Sequence, residues 1–388
     1  MRSSRSSRSS SCRESKSTAP TGYPPSEPSS RRSSAYDNNF EEHLIDHRIF
    51  PEGYEHPDGR STPEPDLVGF HEMLARSRRS LSPSRFTTAD FCDFKQANAQ
   101  VLSEGKVMRT VLPAVYGKSC IDNEGDLVFT RLEPIADDFI VNAKPDFYDG
   151  ALPAKIDKRV RDDIGNFIIP TGHLKAPVLP NFFLEVKAPK GGADIVKRQA
   201  CYDGFVGARA MHQMQSYGQN ELVYDGKAYS VSTTYHAGTG TLQMYTTHPT
   251  QASDGTTEYH MTQVRAFALT SDPDTFRQGA TAFRNARDWA QEQRNGFISM
   301  SNDRARAMNV PQSDHVSSID NDGLQGGTHL SCAESEVECA SVVSQQPFVR
   351  GSSASECSDY NDATRTTYTL ANVESEKSLD EVTLGTDE

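Results

Sequence analysis

The stretch NFFLEVKAPKGGADIVKRQACYDGFVGARAMHQMQSYG, residues 181–218, reads as a strand followed by a long helix. The strand is NFFLEVKAP (181–189), rich in aromatic and β-branched residues and bounded by Pro180 and Pro189. On a strand successive side chains alternate faces, so Glu185 and Lys187 project together while Leu184 and Val186 point the other way. The helix occupies 191–218, with Asp194 able to cap its start and Gly218 able to close it. Val196, Ala200, Gly207, Met211 and Met214 recur at helical spacing. Gly204 and Gly207 each cost about 1 kcal/mol relative to Ala inside a helix. A close approach of this helix to a sheet is the expected compensation.

Working outward, Asp37–Phe50 predicts a short helix, and PEGYEHPDGRSTPEP (51–65) a Pro-rich linker. Thr87/Thr88 open a second helix through ADFCDFKQANAQVL, and GKVMRTVLPAV extends the helical region up to Pro113. Strand texture follows at DLVFTRLEPI (126–135) and FIVNAKPDFYDG (139–150). Residues 227–248 predict a β-hairpin turning at Gly238-Thr239-Gly240, and 258–269 another strand. A closing helix spans 272–295 and carries the only tryptophan, Trp289. The order helix, strands, helix, strands, helix points to an α/β or α+β sandwich.

The chain has 388 residues, only 35% of them hydrophobic, and a net charge of −13. Its mean hydropathy is −0.63, low for a chain folded throughout. Polar flanks account for this. Residues 1–36 hold 14 Ser and seven Lys/Arg against two acids, and residues 301–388 hold five Lys/Arg against 16 acids. Both flanks read as disordered, leaving a domain at 37–300 with enough chain for a sizeable core. The RSSRSSRSSS opening suits phosphorylation, or is a solvated tail without a dedicated partner.

No stretch reaches 18 uncharged apolar residues and the N-terminus has no apolar h-region, so neither a membrane span nor a secretory signal is expected. Mitochondrial import is disfavoured because residues 1–18 offer almost no apolar face. Seven scattered cysteines without a CxxC pair argue against a zinc ribbon or a disulfide framework. An intracellular location, nuclear or cytoplasmic, is the expectation.

The chemistry lies in KPDF (144–147) and LEVKAP (184–189). Asp146 from one strand joins Glu185 and Lys187 on one face of the next. Asp146 and Glu185 offer hard oxygen ligands for Mg²⁺ or Mn²⁺, with the Val186 carbonyl as a further ligand. Such an ion would polarise a phosphodiester, and Lys187 would orient or deprotonate the attacking water. Glu-x-Lys occurs three times in the chain and Pro-Asp four times, but only this pair sits on strand-like sequence with a helix next. A strand-end salt-bridge cluster without metal is the competing reading.

Pro145-Asp146, then Glu185-Val186-Lys187, then a helix resembles the PD-(D/E)XK nuclease superfamily. The stretch from about 36 to 297 is also similar to a fungal family of uncharacterised proteins placed near that superfamily. The resemblance implies a restriction-endonuclease-like core, a mixed β-sheet flanked by helices, and metal-dependent hydrolysis of nucleic acid by Asp146, Glu185 and Lys187. It also implies an acid on the first helix, for which Glu104 is the candidate. Some branches place a Gln and a Tyr four apart on the helix after the Lys. Here Gln199 is followed at that spacing by Asp203, with Tyr202 one residue short. Gln199 is therefore the site candidate, against the reading of a plain exposed helix position. The 39-residue gap from Asp146 to Glu185 departs from the pattern and must hold an insertion. A nuclease fold kept only for binding stays open as the alternative.

Nucleic acid is the candidate partner. Residues 144–198 hold ten Lys/Arg and seven acids inside an otherwise acidic domain. Lys155, Lys158, Arg159, Arg161, Lys190, Lys197 and Arg198 could meet phosphates, or form a mixed-charge surface with Asp157, Asp162 and Asp163. His212, His236, His248 and His260 have no metal-ligand spacing and read as structural, and Cys201 as packing.

Overall fold

The structure, a computed structural model, describes residues 32–135 and 140–308. Most of both expected disordered flanks lies outside the described residues. The elements in chain order begin with α1 (Phe40–Asp46), β1 (Ile49–Phe50), α2 (Phe70–Ala75), α3 (Thr88–Ala99), α4 (Glu104–Thr110), α5 (Leu112–Tyr116) and β2 (Asn123–Glu124). They continue with β3 (Phe147–Ala151), α6 (Lys158–Ile168), β4 (Val178–Lys187), α7 (Ala193–Ser216), β5 (Ser230–His236), β6 (Thr241–Gln251), β7 (Thr257–Ala268) and α8 (Pro273–Met308).

Seven strands form one mixed sheet in the order β1-β7-β6-β5-β4-β3-β2. β4 and β5 run parallel, as the α7 crossover between them requires, while β3–β4, β5–β6 and β6–β7 are antiparallel. The mixed sheet flanked by helices is thus as expected. All ten residues of β4 are buried because helices cover both sides of the sheet. Phe182, Leu184 and Val186 face a core shared with α3, α4, α5 and α8, including Phe94, Val107, Val115, Phe276 and Phe283. Phe183, Tyr148 and Tyr245 face α7 at Ala200, Cys201, Phe205 and Ala208.

The two glycines of α7 bring that helix against the sheet. A Cβ on Gly204 would lie 2.5 Å from Thr247 Oγ1, and one on Gly207 would lie 2.7 Å from the Phe183 ring and closer still to Ser230 Oγ. Gly204→Ala is therefore expected to destabilise by about 1–3 kcal/mol, despite alanine's better helix propensity. A denaturant titration checks this; equal or greater stability would mean the helix can simply lift away.

On the other face α8 is held by buried charge. Arg287 donates two hydrogen bonds, of 2.8 and 2.7 Å, to the Asp149 carboxylate and lies 5.0 Å from the Phe147 ring centre. Arg294, about two turns further along, donates to Asn181.

Several elements differ from the sequence reading. Residues 126–135 are not a strand. Asp126 has a left-handed φ of 62°, Val128 is exposed, and only Phe129 is fully buried, with Leu132 and Ile135 packing partly against the same core. The segment lies beside 143–145 through Asp126 N–H to Pro145 O and Phe129 N–H to Ala143 O, and Pro145 has no N–H to return. Of the strand expected at 139–150, residue 139 lies outside the described residues and 140–150 form a strand only from Phe147 onward. β4 begins before Pro180 rather than after it. The insertion holds α6, whose N-cap is Asp157. Gly192, not Asp194, occupies the N-cap of α7. The expected limits at 37 and 300 fall inside the folded unit, since Ser33 and Ala35 are buried and α8 runs to Met308. Cys92 and Cys201 are free thiols and Cys120 is disulfide-bonded, which the scattered spacing did not suggest. Among the described residues no helix is long and apolar enough to cross a membrane.

Candidate active site

The antiparallel register of β3 and β4 pairs Phe147 with Leu184, which sets Asp146, one residue upstream, beside Glu185. Their backbones and side chains interlock. The Asp146 carboxylate accepts from Val186 N–H at 2.8 Å, and Asp146 N–H donates to Glu185 Oε1 at 3.3 Å. The 39-residue gap does not separate them, because its residues leave and rejoin the same strand pair.

Lys187 lies two residues on, with its ammonium donating to Val186 O at 3.0 Å and paired with Glu104 Oε1 at 3.3 Å. Glu104 is the first residue of α4 and is partly exposed. The acid expected from a preceding helix therefore does reach the lysine. The Val186 carbonyl, considered above as a metal ligand, is engaged by that lysine through one of its lone pairs. Gly191 covers the lysine stem: a Cβ there would lie 2.8 Å from Lys187 Cβ and Cδ. His236, the β5 register partner of Lys187, hydrogen-bonds Gly191 O at 2.9 Å and so holds that turn in place.

α7 contributes a residue that sequence reasoning passed over. Asp203 is buried, and its carboxyl is within hydrogen-bonding reach of Glu185. Burial pushes the Glu185 carboxyl well above its ordinary range, and the charges of Asp203 and Asp146 push it further. Burial also raises Asp203, to about 7. Asp146, half-buried, is raised by burial and lowered in part by its hydrogen bond from Val186. Glu185 Oε2 and Asp203 Oδ2 find no N–H or O–H donor, so only a proton or a cation can stabilise two buried carboxyls together there.

Gln199, one turn before Asp203 on α7, has its Oε1 buried and unpartnered as well. It is not a fully exposed helix position, but no hydrogen bond ties it to the other site residues. Asp203 had a signal in the sequence: it sits within the inward stripe of Val196, Ala200, Gly207 and Met211, where an acid has no solvent.

The donor set suits a hard divalent cation in kind, being carboxylate oxygens with unsatisfied lone pairs. Among the described residues no three His, Cys, Asp or Glu side chains are already gathered as a metal cage. Any ion held here would draw its remaining ligands from solvent.

The basic residues singled out nearby are largely paired. Lys155, Lys158 and Arg159 form ion pairs with Asp122, Asp162 and Asp163, and Arg198 pairs with Asp194. Arg161 and Lys197 donate to the Ile156 and Glu52 carbonyls. Lys190 is exposed. His212 donates through Nε2 to Val223 O, and His248 faces His260 across β6 and β7. Cys201 is packed in the core, where burial raises its thiol to about 12.

No protein-family model, curated protein or solved structure matches this chain.

Proposed function

We propose that the protein is a metal-dependent hydrolase acting on nucleic-acid phosphodiesters. The observation that carries this reading is the pairing of Asp146 with Glu185, beside Lys187, with buried carboxyl oxygens that lack any donor. Asp146 and Glu185 would hold Mg²⁺ or Mn²⁺, with Asp203 supplying a further buried oxygen. When bound, the ion supplies Lewis-acid polarisation of the phosphoryl oxygen. Lys187 carries the rest of the chemistry for this chain. Its ammonium, once released from Glu104, stabilises charge developing on the phosphoryl group and orients the attacking water. Glu104 positions that ammonium in the resting state. Asp146 and Glu104, the least buried of the group, mark the side from which substrate reaches the others.

A second reading has an observation of its own. The Lys187 ammonium is doubly engaged and most neighbouring cations are neutralised by acids, which suits a nuclease fold kept as a binding or interaction protein.

Calorimetric titration of the full chain with Mn²⁺ separates the two. The wild type is expected to bind saturably, and Asp146→Asn/Glu185→Gln to lose that binding while remaining folded by circular dichroism. A folded wild type with no heat at millimolar Mn²⁺ would remove the hydrolase reading and leave the scaffold.

A further inference from the structure

A concave site lies on the opposite face of the sheet, away from Asp146 and Glu185. It is a cleft of about 760 Å³ between α2 and the Arg79–Leu81 turn on one side and β7 and α8 on the other. That volume falls within the range of roughly 300–1,000 Å³ typical of small-molecule sites. β7 is three strands from β4 in the sheet, so the cleft shares no residue with the carboxylate site.

Its floor and walls are apolar, formed by Leu74, Leu81, Pro83, Phe267 and Ala282. Ser77, Ser82, Gln278 and Thr281 add neutral polar groups, and its charged lining is of one sign. Arg78, Arg79, Arg265 and Arg277 all line it, and no Asp or Glu does. Two of the four are committed elsewhere: Arg78 pairs with Asp288 at 2.6 Å, and Arg277 with Asp274 and the Phe86 carbonyl. Arg79 and Arg265 are exposed and make no ion pair with a carboxylate among the described residues. Two free guanidinium groups over an apolar pocket, in a protein of net charge −13, are a local reversal of the molecule's charge.

A guanidinium presents a planar fork of donors that matches a carboxylate, and the apolar walls favour a hydrocarbon body behind it. We propose that this cleft binds an amphiphilic monocarboxylate, a carboxylate head held by Arg79 and Arg265 with an apolar chain lying on Leu74, Leu81 and Phe267. Both halves of the ligand are needed, since exposed arginines alone bind simple anions weakly.

Three probes test this on the full chain by calorimetry: decanoate, acetate, and decyltrimethylammonium. Decanoate below its micelle concentration is expected to bind saturably at one site, acetate not measurably, and decyltrimethylammonium at least about tenfold more weakly than decanoate. Arg79→Gln/Arg265→Gln changes only exposed side chains and is expected to fold normally. It should weaken decanoate about tenfold or more and leave Mn²⁺ heats unaltered. Absent or non-saturable decanoate binding would overturn the proposal. So would equal binding of the cationic probe, or an unchanged affinity in the double variant.

Discussion

In metal-free buffer, Asp203→Asn is expected to melt at a higher temperature than the wild type, with a gain that is small near pH 4.5 and full by pH 8. Asp203 holds its proton up to about pH 7 in the folded protein because burial disfavours the carboxylate. In the unfolded chain an aspartate releases it near 3.9. The folded state thus binds the extra proton between those values, so stability falls as pH rises through that window. The corresponding loss of stability is on the order of a few kcal/mol. Asn carries no charge and offers Glu185 an N–H donor, removing the penalty. Thermal melts of both proteins in EDTA at pH 4.5, 6 and 8 read the effect directly. Parallel pH profiles would mean Asp203 is ionised throughout and the buried pair is not as described. The same substitution should weaken Mn²⁺ binding, so stability and metal affinity move in opposite directions.

Lys187 gives the second large effect. Lys187→Ala is expected to reduce Mn²⁺-dependent cleavage of labelled oligonucleotides by roughly 10²–10⁴-fold, the range for losing a positioned acid–base group. Mn²⁺ binding should persist, because the ammonium is not a ligand. Lys187→Met keeps the stem volume beneath Gly191 and separates lost chemistry from lost packing. Cleavage that survives in both variants would take Lys187 out of the mechanism. Removing the ammonium costs little at Glu104, which is exposed enough to be solvated.

β4, α7 and the β5–β6 hairpin were legible in the sequence because both the periodicity and the boundaries were strong there. Pro189, Gly218 and the Gly238–Gly240 turn end their elements where the local chemistry requires it. Residues 126–135 misled because alternation of Leu127, Phe129 and Leu132 says nothing about partners. The neighbouring strip contains Pro145, and Asp126 turns the backbone out of any ladder. α6 was hidden by its polarity: Lys158, Arg159, Arg161, Asp162 and Asp163 mask an inward edge of Val160 and Ile168. In the site, Asp146, Glu185, Lys187 and Glu104 could be named from strand alternation and resemblance. Asp203 was passed over, since a spacing rule that asks for tyrosine at that position treats an acid as a mismatch, although its place in the inward stripe of α7 was a signal. Its importance comes from burial against Glu185, a tertiary fact.

α8 has a bearing on how the chain comes off the ribosome. Its 36 residues are the last described to be synthesised, yet they cover the face of the sheet carrying Phe182, Leu184, Val231 and Met244. Until the helix has cleared the exit tunnel, that apolar face and the Asp149 carboxylate beside it have neither lid nor counter-ion from α8. The sheet therefore cannot reach its final packing until α8 has emerged, which the 80 residues after Met308 allow before synthesis ends. In the interval the nascent chain presents a large adhesive surface to chaperones.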